Sequence, residues 1–200
     1  MTILSEGLSS RESYHLLSSC VVPRPIAWAT TLSSDGVVNA APFSFFNVVS
    51  AAPPMVMIAV DRRKGQPKDT ARNILSSKQF VVNIVSESLT QRMNLTSADF
   101  PNSVSEIERA GLALAPSTRI QVPGIAPSPI RMECILAQHL EIGTGPTDLI
   151  IGEVVVFHVD DEILKEERID TGKLRAIGRL SGSDYCRTTE LFSLERPQGK

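Results

Sequence analysis

Short apolar runs separated by turn-forming residues account for most of the chain. Their length, their β-branched content and the glycines, prolines and polar clusters between them are typical of strands. Asp35 and Gly36 separate the first two runs, and an Asp-Gly pair in that place predicts a tight hairpin. Gly143 to Pro146 separate the two longest runs and predict a long antiparallel hairpin. We predict strands at 26–32, 37–41, 55–60, 80–85, 130–142 and 149–159, with one more in the tail.

Helical patterns are fewer and shorter. Asp69 is a candidate N-cap for a helix through Lys78, because Ala71, Ile74 and Leu75 would share one face. We also predict a helical turn at 11–17, a helix at 86–95 with a capping box at Ser88 and Gln91, and a short helix opened by a box at Ser103 and Glu106. Strands and helices do not alternate regularly, which argues against a doubly wound sheet. The prediction is a mainly β fold with peripheral helices, a compact β-barrel, in a single domain over residues 1–200.

Composition and charge narrow the classes of function. The chain has 200 residues, 42% of them hydrophobic and 21% charged, which suits one domain with a sizeable core. A net charge of −2 lacks the basic footprint of a nucleic-acid-binding protein. No apolar run is long enough to span a bilayer and no secretion signal is evident, so we expect a cytoplasmic protein without membrane attachment. Cys20, Cys134 and Cys186 are far apart and lack ligand spacing, which indicates buried or incidental thiols.

No familiar catalytic motif is present. The chain contains no GxGxxG, no GxxxxGK[ST] and no GxSxG sequence. His15, His139 and His158 are widely separated and have no metal-ligating partner at a suitable spacing, so we interpret them as structural and predict no metal site. With no credible nucleophile or general base, we predict no catalytic side chain. An enzyme built from this chain would take its chemistry from a cofactor.

The stretch 23–60 combines strand-like segments with a run, PFSFFNVVSAAPP, that is too polar for a plain core. It carries RPIAWATT and NAAPFSFFNVVSAAPP; KDTARN and GRLSGSDYCRT follow further along the chain. These four motifs, in this order and over nearly the whole chain, resemble the flavin reductase-like family of FMN-binding split barrels. The resemblance is strongest to the branch that includes flavoredoxin.

The resemblance implies a six-stranded split barrel that binds FMN non-covalently in a cleft at a homodimer interface. It implies an NAD(P)H-dependent flavin reductase, in which NADH or NADPH delivers hydride to flavin N5. Many such proteins supply reduced flavin to a separate monooxygenase. Two alternatives stay open: an FMN-bearing electron-transfer protein like flavoredoxin, with little direct NAD(P)H activity, and a flavin-free binding module.

Under this resemblance, each part of FMN has a matching set of residues. Hydroxyl groups and the backbone of the loop 45–50 suit the ring edge and the ribityl chain, aromatic side chains suit the ring, and a helix start with a lysine suits the phosphate. The predicted cofactor-binding residues are Thr30, Thr31, Ser44, Asn47 and Ser50 for the polar contacts, Trp28, Phe45 and Phe46 for the ring, Lys68 and Thr70 for the phosphate, and Arg24 and Arg179 as further cations.

Several of these residues have a simpler interpretation. Thr30 and Thr31 alternate across a strand, so at most one faces a given cleft. Trp28 suits a core or a dimer interface as well as a flavin contact. Ser44 and Asn47 also suit hydrogen bonds to their own loop backbone. Lys68 can be a solvated cation, and the tail with Arg179 can pack on a partner subunit.

Overall fold

Antiparallel strands dominate the computed structural model, which describes residues 1–98, 100 and 104–199. The helices are α1 (Ser10–Cys20), α2 (Asp69–Ser77), α3 (Thr90–Leu95), α4 (Glu106–Arg109) and α5 (Thr171–Leu174). The strands are β1 (Ala27–Leu32), β2 (Val38–Phe43), β3 (Phe46–Ala51), β4 (Pro54–Asp61), β5 (Gln79–Ile84), β6 (Leu114–Ala115), β7 (Gly124–Ile125), β8 (Ile130–Ile142), β9 (Thr147–Val159), β10 (Leu164–Lys165), β11 (Arg168–Ile169), β12 (Ile177–Arg179) and β13 (Tyr185–Arg187). Two 3-10 turns, Glu87–Leu89 and Asp161–Ile163, complete the list of the described elements. This composition confirms the predicted mainly β fold with peripheral helices.

Seven of the described strands form one antiparallel sheet in the order β2-β1-β5-β8-β9-β4-β3. The two edge strands, β2 and β3, follow each other in the chain. Between them, the carbonyl of Phe45 accepts a hydrogen bond of 2.8 Å from the N–H of Ala59 in β4. The connection at Ser44 and Phe45 therefore lies against β4 and brings the two edges of the sheet together.

The inward faces of the sheet share one hydrophobic cluster, the barrel core, which α2 covers with Ala71 and Ile74. Alternate residues of each strand are buried there, as the two-residue period of a strand requires. The strand residues of the barrel core include Ala29, Phe46, Ile58, Val82, Cys134 and Ile150. Packing of α2 on this core fixes the position of the helix start, where the sequence places Lys68.

A second cluster, the lateral core, lies on the other face of β1 and β2. Its largest member is Trp28, which is fully buried. Met93 of α3 and Ile107 of α4 pack against this face. The lateral core thus holds α3 and α4 beside the edge strand β2.

The two predicted hairpins are confirmed. β1 and β2 pair through the turn at Asp35 and Gly36, where Gly36 has a φ of 80°, and β8 pairs with β9 along nearly its whole length. The six predicted strands are present as β1, β2, β4, β5, β8 and β9, and the run after Phe45 adds the unpredicted strand β3 to the same sheet. Its exposed residues Asn47 to Val49 lie on the sheet edge and hide the alternating pattern.

Two of the predicted helix caps are wrong. Lys68, not Asp69, has the extended backbone of an N-cap, and its carbonyl accepts the first helical bond from Arg72. Asp69 lies in the first turn, where an acidic residue also suits the helix dipole, and it pairs with Arg72. Near Ser88 the chain makes a 3-10 turn before α3, and the Ser88 hydroxyl bonds to Ser86, so no capping box forms there.

The second predicted capping box begins at Ser103, which lies outside the described residues. α4 begins at Glu106 with Ser105 as its N-cap. The predicted helical turn at 11–17 is longer than expected, because a capping box of Ser9 and Glu12 starts α1 at Ser10. This box satisfies backbone groups at the helix start and so stabilises a helix that has little buried surface.

The predicted structural histidines are confirmed for His139 and His158. Their Nε2 atoms lie 2.9 Å from Asp148 Oδ1 and 2.6 Å from Glu133 Oε1, and both carboxylates are fully buried. Within the described residues, no set of three His, Cys, Asp or Glu side chains is placed to hold a metal ion. None of the helices in the described part of the chain is both long and apolar enough to cross a membrane.

Candidate functional site

A cleft of about 300 Å³ opens beside the start of α2. One wall is the second half of β2, another is the chain that runs from Arg63 into α2, and the third comes from α4 and the segment after α3. The lining residues are Asn39, Ala41, Pro42, Phe43, Arg63, Gln66, Pro67, Lys68, Asp69, Thr70, Thr96, Ser97, Ala98, Phe100 and Glu106. The cleft therefore combines basic, amide, hydroxyl, acidic and aromatic side chains.

A tight turn supplies the basic wall. Arg63 and Gln66 exchange two backbone hydrogen bonds of 2.9 Å each. Between them Lys64 and Gly65 have φ values of 49° and 77°, which is the left-handed pair that a type I′ turn requires. This closed turn places Arg63 and Gln66 on the cleft wall, and Pro67 then leads the chain into Lys68.

The start of α2 forms the base of the cleft. Because the first intrahelical bond runs from Arg72 N to Lys68 O, at 3.0 Å, the N–H groups of residues 69–71 have no acceptor within the helix. Their partial positive charge and the exposed ammonium of Lys68 favour a bound anion. This end of the cleft suits a phosphate group.

A hydrogen-bonded network supports this end, in which the half-buried Asn39 contacts the buried side chains of Thr31, Thr70 and Glu106. Asn39 Nδ2 donates to Glu106 Oε1 at 2.8 Å, and the N–H of Ala40 donates to Glu106 Oε2 at 3.2 Å. The Thr70 and Thr31 hydroxyls donate to Asn39 Oδ1 at 3.1 Å and 3.4 Å. Asn39 thus connects β1, α2 and α4 through one side chain.

Glu106 is a buried carboxylate in the cleft wall. Burial raises its pKa, the charge of Asp69 raises it further, and the hydrogen bonds from Ala40 and Asn39 act in the opposite direction. The side chain keeps its acceptor role because both oxygens receive a donor. A carboxyl group whose pKa is raised by burial in a cleft is typical of functional sites, and it also occurs in structural networks.

Among the predicted site residues, Lys68 and Thr70 line this cleft. Lys68 is exposed, whereas Thr70 is only 2% exposed and its hydroxyl is engaged with Asn39. Lys68 is the N-cap of α2 and Thr70 is the second residue of the helix. Their arrangement is consistent with the predicted phosphate end, which stays a prediction.

A second group of predicted residues meets around Arg24, which is 5% exposed. Its guanidinium donates to the carbonyls of Val21 at 2.7 Å and Leu180 at 2.8 Å, and its Nε lies 3.4 Å from Ser44 Oγ. The Arg24 Cζ atom lies 5.9 Å from the centre of the Phe45 ring. This buried cation therefore ties the end of α1 and the tail to the β2–β3 connection.

Arg179 lies beside Arg24 through the backbone. The two residues exchange backbone hydrogen bonds of 3.0 Å and 2.8 Å. The Arg179 guanidinium lies 4.5 Å over the Tyr185 ring and donates to the Gly182 carbonyl. In this chain the Arg179 side chain is thus engaged within the tail.

Three predicted residues of β1 are fully buried. Trp28 Nε1 donates to Thr96 Oγ1 at 2.9 Å inside the lateral core. Thr30 Oγ1 donates to the Pro123 carbonyl at 2.7 Å, while Thr31 faces α2. The alternation predicted for Thr30 and Thr31 is confirmed, and neither residue belongs to the cleft lining.

The remaining predicted residues lie on β3. Phe46 is 7% exposed and packs in the barrel core. Asn47 Oδ1 accepts from the N–H of Val48 at 2.8 Å, and Ser50 Oγ accepts from that of Ala52 at 3.2 Å, so both bond to nearby backbone. Through β3–β4 pairing, Asn47 lies opposite Met57.

The sequence motifs did not reveal several residues of the cleft wall. These are Asn39, Arg63, Gln66, Thr96, Phe100 and Glu106. Asn39 stands inside a quoted motif, and a polar residue in an otherwise small and apolar strand is a usable signal. The sequence pattern indicates Glu106 only as a capping residue, because its distance from Asn39 along the chain conceals the contact.

The residues present fit a flavin nucleotide. The phosphate suits Lys68 and the start of α2, the hydroxyl-rich ribityl chain suits the amide of Asn39 and the hydroxyl side chains of the cleft, and the apolar ring suits the end of β2 at Phe43. Phe43 and Pro42 line that end of the cleft, and Ser44 and Phe45 follow directly.

Comparison with known proteins gives a consistent result. A family model described as "Flavin reductase like domain" matches residues 18–177. The chain is similar to nitrilotriacetate monooxygenase component B from Bacillus cereus, with 39% identity, a TM-score of 0.95, and coverage of 97% of this chain and 98% of that one. It is also similar to 2-nitrobenzoate 2-nitroreductase from Pseudomonas fluorescens, with 40% identity, a TM-score of 0.90, and coverage of 98% and 96%.

Flavoredoxin of Desulfovibrio vulgaris (Miyazaki F) shares 18% identity with a TM-score of 0.77, over 96% of this chain and 97% of that one. A likeness at this identity concerns the fold alone. It confirms the predicted split-barrel architecture.

Proposed function

This chain belongs to the flavin reductase-like family, and on that premise we propose that it is an NAD(P)H-dependent flavin reductase that binds FMN in the cleft beside α2. The observation that carries the proposal is the cleft itself. It joins the cationic start of α2, with Lys68 and Arg63, to the apolar end of β2. Similarity to the component B and nitroreductase structures supports an oxidoreductase.

The proposed phosphate site uses groups that are already in place. Lys68 contributes a flexible ammonium, and the N–H groups of residues 69–71 contribute fixed donors at the positive end of the helix dipole. Arg63 contributes a second cation from the closed turn. Phosphate binding by fixed donors needs little reorganisation and orients the rest of the ligand.

The proposed ring site lies at the β2–β3 connection. Ser44 and the half-buried Phe45 follow the cleft residue Phe43, and the Phe45 ring lies 6.1 Å from that of Tyr14. Buried Arg24 holds this connection through Ser44. We propose that backbone N–H groups of residues 45–50 bind the polar ring edge and favour the negative charge that develops there on reduction.

When bound, a flavin would supply the redox chemistry, because it can accept a hydride at N5 from NADH or NADPH and pass the electrons on. The side chains of this cleft need only bind, orient and exclude water. Consistent with that role, the described cleft walls contain no histidine or cysteine. We therefore propose no catalytic side chain.

We propose that the protein acts as a homodimer. The outer face, formed by Met57 and Ala59 of β4, Leu149 and Ile151 of β9 and Leu140 of β8, is a continuous apolar row across three strands. These side chains are half-buried or exposed in the single chain. Asn47 pairs with Met57, so the proposed ring site adjoins this face and a second subunit placed there would help enclose the ring.

A monooxygenase is the proposed recipient of the reduced flavin. This part rests on the similarity to component B of nitrilotriacetate monooxygenase, which spans almost both chains. The proposed site of action is the cytoplasm, which rests on the sequence alone.

An absorbance spectrum of the purified protein with added FMN, followed by anaerobic NADH or NADPH, tests the proposal. We expect a bound-flavin spectrum and its bleaching by at least one reductant. The double variant K68A/T70A should bind FMN more weakly, because it loses the ammonium and a buried hydroxyl at the phosphate end. Absence of flavin binding by the wild-type protein, or full FMN affinity in the double variant, would contradict the proposed site.

A second candidate function is direct reduction of a nitroaromatic acid. Its support is the 40% identity to 2-nitrobenzoate 2-nitroreductase over nearly the full chain. Adding 2-nitrobenzoate to the protein with FMN and reductant separates the candidates. Consumption of the nitro compound that depends on the protein, beyond the rate with free reduced FMN, would favour this second activity.

A further inference from the structure

The half-buried Asn39 side chain is the centre of the hydrogen-bonded network at the phosphate end of the cleft. It lies on β2, opposite Thr31 of β1. It reaches Glu106 of α4 with its nitrogen and Thr70 of α2 with its oxygen, at 2.8 Å and 3.1 Å. One side chain of β2 thereby contacts both α4 and the start of α2.

Chemistry determines which way the Asn39 amide points. An ionised carboxylate only accepts hydrogen bonds, so the NH₂ group of Asn39 must face Glu106. The Ala40 N–H already occupies the other carboxylate oxygen, at 3.2 Å. The amide oxygen is thereby directed at Thr70 and Thr31, whose hydroxyls fill its two acceptor positions.

The contact with Thr70 acts on the first turn of α2. Thr70 is the second residue of the helix and is 2% exposed, so its hydroxyl has few other partners. Helix ends fray unless a side chain or ligand holds them. By holding Thr70, Asn39 keeps the backbone donors of the first turn in a defined place relative to β2.

We propose that Asn39 is a positioning residue for phosphate recognition, which it supports by anchoring the Thr70 hydroxyl and with it the first turn of α2, while Glu106 sets the orientation of its amide. This inference rests on the proposed function. It assigns to a neutral side chain the discrimination between a flavin that carries a phosphate and one that does not.

Riboflavin is the probe that isolates this role, because it has the ring and ribityl chain of FMN without the phosphate. The test compares the dissociation constants of FMN and riboflavin, measured by flavin fluorescence, in the wild type, N39A, T70V and N39A/T70V. N94A is the matched control, since Asn94 is an exposed asparagine of α3 that does not line the cleft.

We expect N39A and T70V each to raise the FMN dissociation constant about tenfold, which is about 1.4 kcal/mol. The dissociation constant of riboflavin should change less than about twofold, because the lost hydrogen bond lies at the helix start and not beside the ring. If Asn39 acts through Thr70, the double variant should raise the FMN dissociation constant no more than about twentyfold. Two independent effects would multiply to about a hundredfold increase. N94A should match the wild type.

Three results would overturn the inference while leaving the proposed function intact: unchanged FMN affinity in N39A, an equal loss for riboflavin, or a double variant with the full product of the single effects. Failure of the wild type to bind either flavin would instead overturn the proposed function, and this inference with it. If N39A does not fold, N39S takes its place in the same cycle.

Discussion

Arg62 and Asp148 form a two-point ion pair at one end of the barrel, with Nε to Oδ2 at 3.0 Å and Nη2 to Oδ1 at 2.7 Å. The Asp148 side chain is fully buried, and His139 is its second partner, with Nε2 at 2.9 Å from Oδ1. Burial opposes ionisation of Asp148, but the bonds from Arg62 and His139 outweigh it and lower its pKa. The pair joins β4 to β9 next to the turn that carries Arg63.

D148N should therefore destabilise the protein by about 3 kcal/mol, because it leaves the Arg62 charge without its buried partner. Urea unfolding measures this change. E141Q is the matched control: Glu141 also contacts Arg62, but its side chain is 56% exposed, so its loss should cost less than about 1 kcal/mol. An equal loss of unfolding free energy in D148N and E141Q would contradict the claim that burial makes the Asp148 ion pair the stronger one.

The same pair predicts acid sensitivity. The folded pKa of Asp148 lies below its unfolded value, so its contribution is present above the unfolded pKa and is lost as the pH falls through the folded pKa. The difference in unfolding free energy between wild type and D148N should shrink as the pH falls below about 4. A difference that stays constant down to the acid transition would argue against this source of stability.

The raised pKa of Glu106 predicts that its contribution to stability depends on pH in the opposite direction. Burial raises its folded pKa, so its contribution is full below the unfolded pKa and is lost as the pH rises through the folded pKa. Relative to the wild type, E106Q should gain stability as the pH rises from about 4 towards neutrality. E108Q on the same helix is the control, because Glu108 is exposed and should show no such trend. If the unfolding free energy of E106Q relative to the wild type falls or stays constant as the pH rises, the raised pKa of Glu106 is contradicted.

Trp28, the single tryptophan, should report on the lateral core. Because it is fully buried and bonded to Thr96, its fluorescence in the native protein should resist quenching by acrylamide, and urea should remove that protection. W28F should destabilise by about 1–3 kcal/mol through the lost volume and hydrogen bond. Equal quenching of the native and unfolded protein would show that Trp28 is not enclosed.

Gly152 lets β9 approach the ring of Phe80. A Cβ there would lie 2.6 Å from Phe80 Cε1 and 3.2 Å from Cys134 Cβ, inside the barrel core. G152A should destabilise by about 2 kcal/mol through overpacking. G145A in the β8–β9 turn is the control, because no atom lies within 4 Å of its added Cβ and it should be nearly neutral. Thermal unfolding of the two variants side by side checks the difference.

The outer face predicts the oligomeric state. L140E places a charge at the β8 end of the apolar row, directly opposite Leu149, and Leu140 is 49% exposed in the single chain, so the fold should tolerate it. We expect a dimer in the wild type and a monomer in L140E by analytical ultracentrifugation. L95E, an equally exposed leucine on α3, should remain dimeric. A monomeric wild type would contradict the proposed interface.

Local signals were enough for much of the fold. The Asp35-Gly36 turn and the long apolar runs of β8 and β9 predict their hairpins, because turn chemistry and side-chain alternation act over a few residues. The sequence pattern does not predict β3, since its residues lie on a sheet edge and polar and apolar positions do not alternate along it. The cap of α2 was misplaced by one residue, because Lys68 and Asp69 differ in backbone conformation and not in local pattern.

By itself, the sequence determined the mainly β architecture, the family resemblance and the position of a candidate phosphate end at Lys68 to Thr70. Only the tertiary structure decided which side chains meet there. In the folded chain Trp28, Thr30 and Thr31 are buried, and Asn39 contacts Glu106, which lies 67 positions further along the sequence. Strand pairing and helix packing create such contacts between distant residues, and no local pattern of hydrophobic and polar residues encodes which distant partner each side chain will meet.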